Sequence, residues 1–187
     1  MMQSTTFPPR TADLFTQGLE NRPGSALLRF GAARRRSADR LSCRWTPDEP
    51  PAHPGEERVV ELGEHHHEEL LAFLREHSPG HSTGPGSAGI SLWAGIRDEN
   101  GRLVACGALS SLRDSGAPLM ASVATDARLR GQGLGAALAS FLTRYAVRRY
   151  GFCTLWQLAD NAPAERLYTR LGYRDEDLCV AARIAAR

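Results

Sequence analysis

The sequence predicts an α/β protein built on one mixed sheet, and three observations carry that reading. Two apolar runs, 90–96 and 103–109, flank Asp98-Glu99-Asn100-Gly101, and Asn-Gly between such runs is a strong hairpin signal. Leu134, Leu138, Phe141, Leu142 and Tyr145 recur at the spacing of one helix face. Between these two patterns lies a strand, 119–125, that enters the helix through a glycine-rich turn.

Taken in order, residues 1–56 read as an N-terminal arm, rich in proline and arginine and partly irregular. They hold the run Arg34-Arg35-Arg36 and a Pro-rich stretch over 47–54, and Ala26 to Phe30 fits either a short strand or a helical turn. A boundary is placed near Gly55, with 57–187 as the globular domain. There, 58–62 reads as a strand and 64–77 as a helix with Leu70, Leu71 and Leu74 on one face. The triplet His65-His66-His67 lies in that helix; successive helical residues point about 100° apart, so no metal site is expected from it. After the hairpin and the strand 119–125 comes the long helix closed by Gly151. A strand over 154–158, a helix over 161–171 stopped by Gly172, and a final strand over 178–184 complete the order.

Composition narrows the chemistry. The chain has 187 residues, which suits one domain with an extension. All 23 basic residues are arginine, so Schiff-base chemistry, pyridoxal phosphate attachment and the phosphate-loop lysine are excluded. A net charge of +2 argues against nucleic acid as a partner. No apolar stretch is long enough to span a membrane, and the N-terminus lacks a signal-peptide core, so a cytoplasmic protein is expected. Abundant Ala, Arg and Gly suggest a GC-rich, bacterial genome. Cys43, Cys106, Cys153 and Cys179 show no C-x-x-C spacing and are expected as isolated buried thiols.

The chemistry sits in Val123-Ala124-Thr125-Asp126-Ala127-Arg128-Leu129-Arg130-Gly131-Gln132-Gly133-Leu134-Gly135. A strand leads through glycines straight into a helix whose first N–H groups are free and lie at the positive end of its dipole. Glycines there let a phosphate reach the backbone, so the stretch reads as a phosphate or pyrophosphate site. Gly131-x-Gly133-x-x-Ala136 also meets the loose dinucleotide fingerprint, but the polar tract 125–130 and the antiparallel meander before it count against that ligand.

Arg130-x-x-Gly133-x-Gly135 resembles the Arg/Gln-x-x-Gly-x-Gly/Ala signature of the GNAT superfamily of acyl-CoA-dependent N-acetyltransferases. Asn161-x-x-Ala164-x-x-Leu167-Tyr168-x-x-Leu171-Gly172-Tyr173, beginning 26 residues after Gly135, is similar to the second cofactor signature of that family. The resemblance covers 57–187 and is strongest over 119–173. It implies a mostly antiparallel sheet flanked by helices, with a V-shaped splay between the fourth and fifth strands of the domain. It implies acetyl-CoA as co-substrate and an amine of a small molecule, amino acid or peptide as acceptor, joined by direct attack in a ternary complex.

By the same resemblance, backbone amides of Arg130, Gly131, Gln132, Gly133, Leu134, Gly135 and Ala136 would hold the pyrophosphate. Val123 and Thr125 would pair with the pantetheine arm, and Asn161 would bond its end or a water. Tyr168 would give a proton to the departing thiolate, against plain core packing as the alternative. Many relatives carry a glutamate on the fourth strand, or a carboxylate or water chain nearby, as general base; here Met120-Ala121-Ser122 stand there, leaving Glu61, Asp160, His81, a water relayed through Ser122, or direct loss of the proton to solvent as candidates. Cys153 is expected as a structural thiol rather than a nucleophile. The glycine-rich loop 79–89 is expected to form a mobile lid over the acceptor. Only residues 174–187 remain where relatives often end in a longer two-strand hairpin, which puts the acceptor site in question. Two other readings stay open: a non-catalytic CoA-binding regulatory module, and an acetyltransferase guided to nucleic acid by the arginine run. A second copy of the chain is left open as a partner.

Overall fold

The computed structural model describes residues 25–27, 39–81, 83–111 and 117–183. Its strands are β1 (Ser25–Leu27), β2 (Asp39–Thr46), β3 (Val59–Glu61), β4 (Ile90–Arg97), β5 (Leu103–Ser111), β6 (Pro118–Thr125), β7 (Cys153–Leu158) and β8 (Arg174–Arg183). They form one sheet in the order β1-β8-β2-β7-β6-β5-β4-β3. Every neighbouring pair is antiparallel except β6 and β7, so the sheet is mixed and mostly antiparallel, as the sequence predicts.

The hairpin between β4 and β5 forms where Asn-Gly places it. Asp98 Oδ1 accepts from the amides of Asn100 at 3.0 Å and Arg102 at 2.9 Å, and Gly101 takes the left-handed φ of 77° that the turn needs. Among the described residues three α-helices flank the sheet: α1 (His67–His77), α2 (Leu134–Tyr150) and α3 (Ala162–Arg170). The helix expected over 64–77 begins as a 3₁₀ turn, Glu64–His66, before becoming α-helical.

The two faces of β4 show how the layers are built. Trp93 points to the side where Leu70, Phe73 and Leu74 of α1 pack. Leu92, Ala94 and Ile96 point to the other side, under Leu134, Leu138 and Leu142 of α2. Alternation at period two and leucines at helical spacing thus meet in two separate apolar clusters. Tyr168 and Leu171, at and after the end of α3, join the α2 cluster.

The N-terminal segment departs from the arm that its composition suggests. Residues 39–46 form β2, which lies inside the sheet between β7 and β8. The Pro-rich stretch after it lies along α2: Arg144 donates to the carbonyl of Pro50 at 2.8 Å, and Arg148 bonds Glu49 at 2.7 Å. Ser140 on the same helix reaches Glu56. Residues 39–56 are therefore joined to the sheet and to α2, while the Arg34-Arg35-Arg36 run lies outside the described residues. Among the described residues no helix is long and apolar enough to cross a membrane.

Burying β2 also corrects the expectation of four isolated thiols. Cys43 is 1 % exposed and disulfide-bonded, whereas Cys106 and Cys153 are free and buried. The strand position of Cys43 puts in the sheet a residue that its sequence surroundings place in an irregular arm.

Arg44 is the other consequence of β2. Only 4 % exposed, it donates to the Glu165 carbonyl and to Thr169 Oγ1, both at 3.1 Å, and meets the Asp175 carboxylate at 2.8 Å. A buried arginine of the N-terminal segment thereby fastens α3 to the sheet. Arg44→Ala is expected to lower stability by about 1–3 kcal/mol, because it strands these acceptors. Urea unfolding measures it, through a shift of the midpoint at unchanged slope.

Candidate active site

The site begins with a break in strand pairing. β6 and β7 are bridged only at Leu119–Thr154 and Met120–Leu155; beyond Met120 no residue of β7 pairs with β6. The strands diverge from there, and α2 starts beyond the far end of β6, which gives the V-shaped splay. Counted from β3, β6 and β7 are the fourth and fifth strands of the domain.

A bulge sits at the root of the V. Cys106 faces Ala124 and Ala108 faces Ala121, so two residues, Ser122 and Val123, stand opposite Gly107 alone. Such an insertion bends a strand and takes backbone groups out of the ladder. Ser122 there has φ of 53°, the sole left-handed conformation among described residues other than glycine. Gly107 makes room for the bulge, since a Cβ on it would lie 3.3 Å from Val123 Cγ2 and 3.0 Å from Leu142 Cδ1.

The turn after β6 matches the needs of an anion. Asp126 caps a short 3₁₀ turn, Ala127–Leu129, by accepting from the Arg128 amide at 3.0 Å. Hydrogen bonds from the Arg128 guanidinium hold the Asp126 carboxyl well below the usual carboxylate range, so this acid stays ionised and engaged with its own arginine. Gly131 and Gly133 both have φ of 82°, and a Cβ on Gly131 would meet nothing within 4 Å. Gly133 precedes α2 without any side-chain cap, and the first turn of α2 contains no acid. Helix geometry leaves its leading amides without intrahelical partners, at the positive end of the dipole. Gly135 lets that turn approach β6, a Cβ there lying 3.2 Å from Thr125 Oγ1. His53 adds a residue that sequence reasoning missed: its ring lies 3.5 Å from where a Cβ on Gly133 would be. A hollow of about 280 Å³ adjoins the turn, bordered by Gln132, Leu134, Leu129 and Arg58.

Across the V, Asn161 caps α3, its Oδ1 accepting from the Ala164 amide at 3.2 Å. Tyr168 is 8 % exposed, with its ring 5.6 Å from that of Tyr173 in an edge-on pair. Burial, helped by Cys153, pushes the Tyr168 hydroxyl up to about 12. It therefore remains protonated, and able to donate, throughout the neutral range. Burial also pushes the Cys153 thiol up to about 12, so it lacks the thiolate character of a nucleophile. Tyr173, bonded to Thr143 at 2.9 Å, completes this packed group.

Ser122 takes a different part from the water relay considered for it. Its Oγ donates to the carbonyl of Thr83 at 2.6 Å, and a carbonyl cannot pass the proton onward. Ser122 instead fastens the glycine-rich loop to the bulge. That loop is also held at its far end, where the Ser111 amide donates to the Gly89 carbonyl at 2.7 Å. Of the other candidate bases, Glu61 is exposed on β3, three strands from β6, and Asp160 is exposed on the turn before α3. The wider cleft, about 370 Å³, lies at the β4 edge between Glu61, Glu64, His67 and Trp93. Among the described residues, no three His, Cys, Asp or Glu side chains gather as a metal site.

Comparisons with known proteins agree with this geometry. Among curated proteins none matches. A crystal structure described as a GNAT-family acetyltransferase from Novosphingobium aromaticivorans is similar over 85 % of this chain and 66 % of its own, with 27 % identity and a TM-score of 0.66. A GCN5-related N-acetyltransferase from Kribbella flavida shares the fold at 23 % identity and TM-score 0.55, over 84 % of this chain and 59 % of its own. A tandem GNAT protein from the clavulanic acid biosynthesis pathway does so at 16 % identity and TM-score 0.56, over 87 % and 64 %. The chain thus spans roughly three fifths to two thirds of the length of these structures. The model of the acetyltransferase (GNAT) family matches residues 60–173, which include β6, the glycine turn, α2, β7 and α3. The chain belongs to the acetyltransferase (GNAT) family.

Proposed function

We propose that the protein is an N-acetyltransferase that passes the acetyl group of acetyl-CoA to a primary amine by direct attack in a ternary complex. The observation that carries the reading is the V itself, a strand edge unpaired beyond Met120 that leads to an uncapped, acid-free helix N-terminus. The two parts suit the two ends of one ligand. An extended amide-bearing arm can add to the free edge of β6 as a further strand. A pyrophosphate can take the amides of Arg130 through Ala136, where the glycines leave open space.

Acetyl-CoA supplies an activated acyl carbon when bound, and the chain supplies position, charge stabilisation and proton transfer. Val123 and Thr125 would align the arm along β6, and backbone N–H groups at the bulge would be available to the thioester oxygen as negative charge develops on it. Tyr168, kept protonated by burial, donates to the sulfur as it leaves. Asn161 presents its amide beside the arm while capping α3. Arg44 acts on the reaction only through α3, which it holds in place.

A second reading, a CoA-binding regulatory module, draws on one observation: β6 reads Pro-Leu-Met-Ala-Ser-Val-Ala-Thr, with no carboxylate to act as base. Thiol release from acetyl-CoA against a panel of primary amines separates the two. The transferase is expected to release thiol in an amine-dependent way, and acetyl-CoA at a hundred times its Kd should stabilise the fold by about 2.7 kcal/mol. Stabilisation without release favours the module, and neither effect removes both readings.

A further inference from the structure

The absence of a carboxylate on β6 leaves open which group deprotonates the acceptor, and the geometry points to His81, acting from the loop that Ser122 fastens to the bulge. This inference rests on the transferase reading above. Two contacts set the imidazole. Its Nδ1 lies 2.8 Å from the carbonyl of Ser78, and the His81 backbone amide donates to that same oxygen at 2.9 Å. A carbonyl only accepts, so Nδ1 carries a hydrogen, and in the neutral ring Nε2 presents a lone pair. A base oriented through its far nitrogen by a fixed acceptor has the arrangement that general-base catalysis uses.

The loop holds His81 within a few residues of the bulge end of the V. Thr83, two residues on and 7 % exposed, is bonded to Ser122 at 2.6 Å. Two residues of extended chain span at most about 7 Å, which keeps His81 close to the bulge. The αL conformation of Ser122 gains a purpose in this light: it turns the hydroxyl out of the strand and toward the loop.

The proton balance closes with His81, Tyr168 and solvent. The acceptor arrives as an ammonium and gives one proton to His81 Nε2. Its freed lone pair forms the C–N bond, and the C–S bond breaks. Tyr168 protonates the departing sulfur and recovers a proton from the amide nitrogen, while His81 returns its own to solvent.

The test compares wild type, His81→Gln and His81→Gly. The probes are the primary alkylamine that wild type acetylates fastest and hydroxylamine, which is uncharged at neutral pH. His81→Gln should lower kcat/KM for the alkylamine by about a hundredfold, should lower it much less for hydroxylamine, and should leave acetyl-CoA affinity unchanged. Free imidazole should restore part of the His81→Gly loss. Equal losses for both nucleophiles with no imidazole rescue would assign His81 to loop structure, and an unchanged alkylamine rate would remove it from the reaction. A wild type with no amine-dependent thiol release sinks the transferase reading, and the role of His81 with it.

Discussion

Gly131→Val is expected to weaken acetyl-CoA binding by about tenfold to a hundredfold, while Gly151→Val, at the other end of α2, leaves it unchanged. The two positions cost the free protein alike. Both have left-handed φ, 82° and 85°, and in neither case would a Cβ meet anything within 4 Å. Each valine therefore imposes backbone strain of about 1–3 kcal/mol without a clash. They differ in what lies outside: Gly131 stands before the amides at the N-terminus of α2, and Gly151 after its last carbonyls. Losing one charge-assisted hydrogen bond to phosphate, worth about 1.5–3 kcal/mol, accounts for the difference. Calorimetric titration of both variants measures it, and equal affinities would take the pyrophosphate away from this turn.

Tyr168→Phe should lower turnover by about a hundredfold with little change in acetyl-CoA affinity. The hydroxyl is buried and its upward shift comes from burial and Cys153, with no hydrogen bond contributing, so phenylalanine leaves no described partner stranded. Stability at neutral pH should stay within about 0.5 kcal/mol of wild type. The sign of the shift gives a second check. A hydroxyl with its pKa raised in the folded state contributes stability that is complete below its ordinary value of 10.0 and lost as pH rises through about 12. Tyr168→Phe should therefore resist alkaline unfolding better than wild type. Unchanged turnover would return Tyr168 to packing alone.

Much of this was legible in the sequence because period and punctuation agree there. Gly101, Gly151 and Gly172 stand where the turn and the helix ends need left-handed backbone, and the two signatures keep their order with a strand between them. β2 was not legible for a physical reason. Asp39-Arg40-Leu41-Ser42-Cys43-Arg44-Trp45-Thr46 carries three charges, and pattern reading assigns charge to solvent. Arg44 can be buried only because α3 and Asp175, more than 120 residues away in sequence, supply its partners. The strands on either side of β8 likewise come from the N-terminal side of the chain, far from it in sequence. Within the site, the glycine turn could be read from glycine physics. The bond between Ser122 and Thr83 could not, because it depends on a bulge whose register only the folded sheet sets.

A crystal structure with bound CoA decides whether the cofactor arm fills the V between β6 and β7. Pyrophosphate oxygens are expected at hydrogen-bond distance from amides between Arg130 and Ala136, with the arm paired to Val123 and Thr125 and its sulfur beside Tyr168. CoA seated in the cleft at the β4 edge, with the V left empty, would overturn this placement.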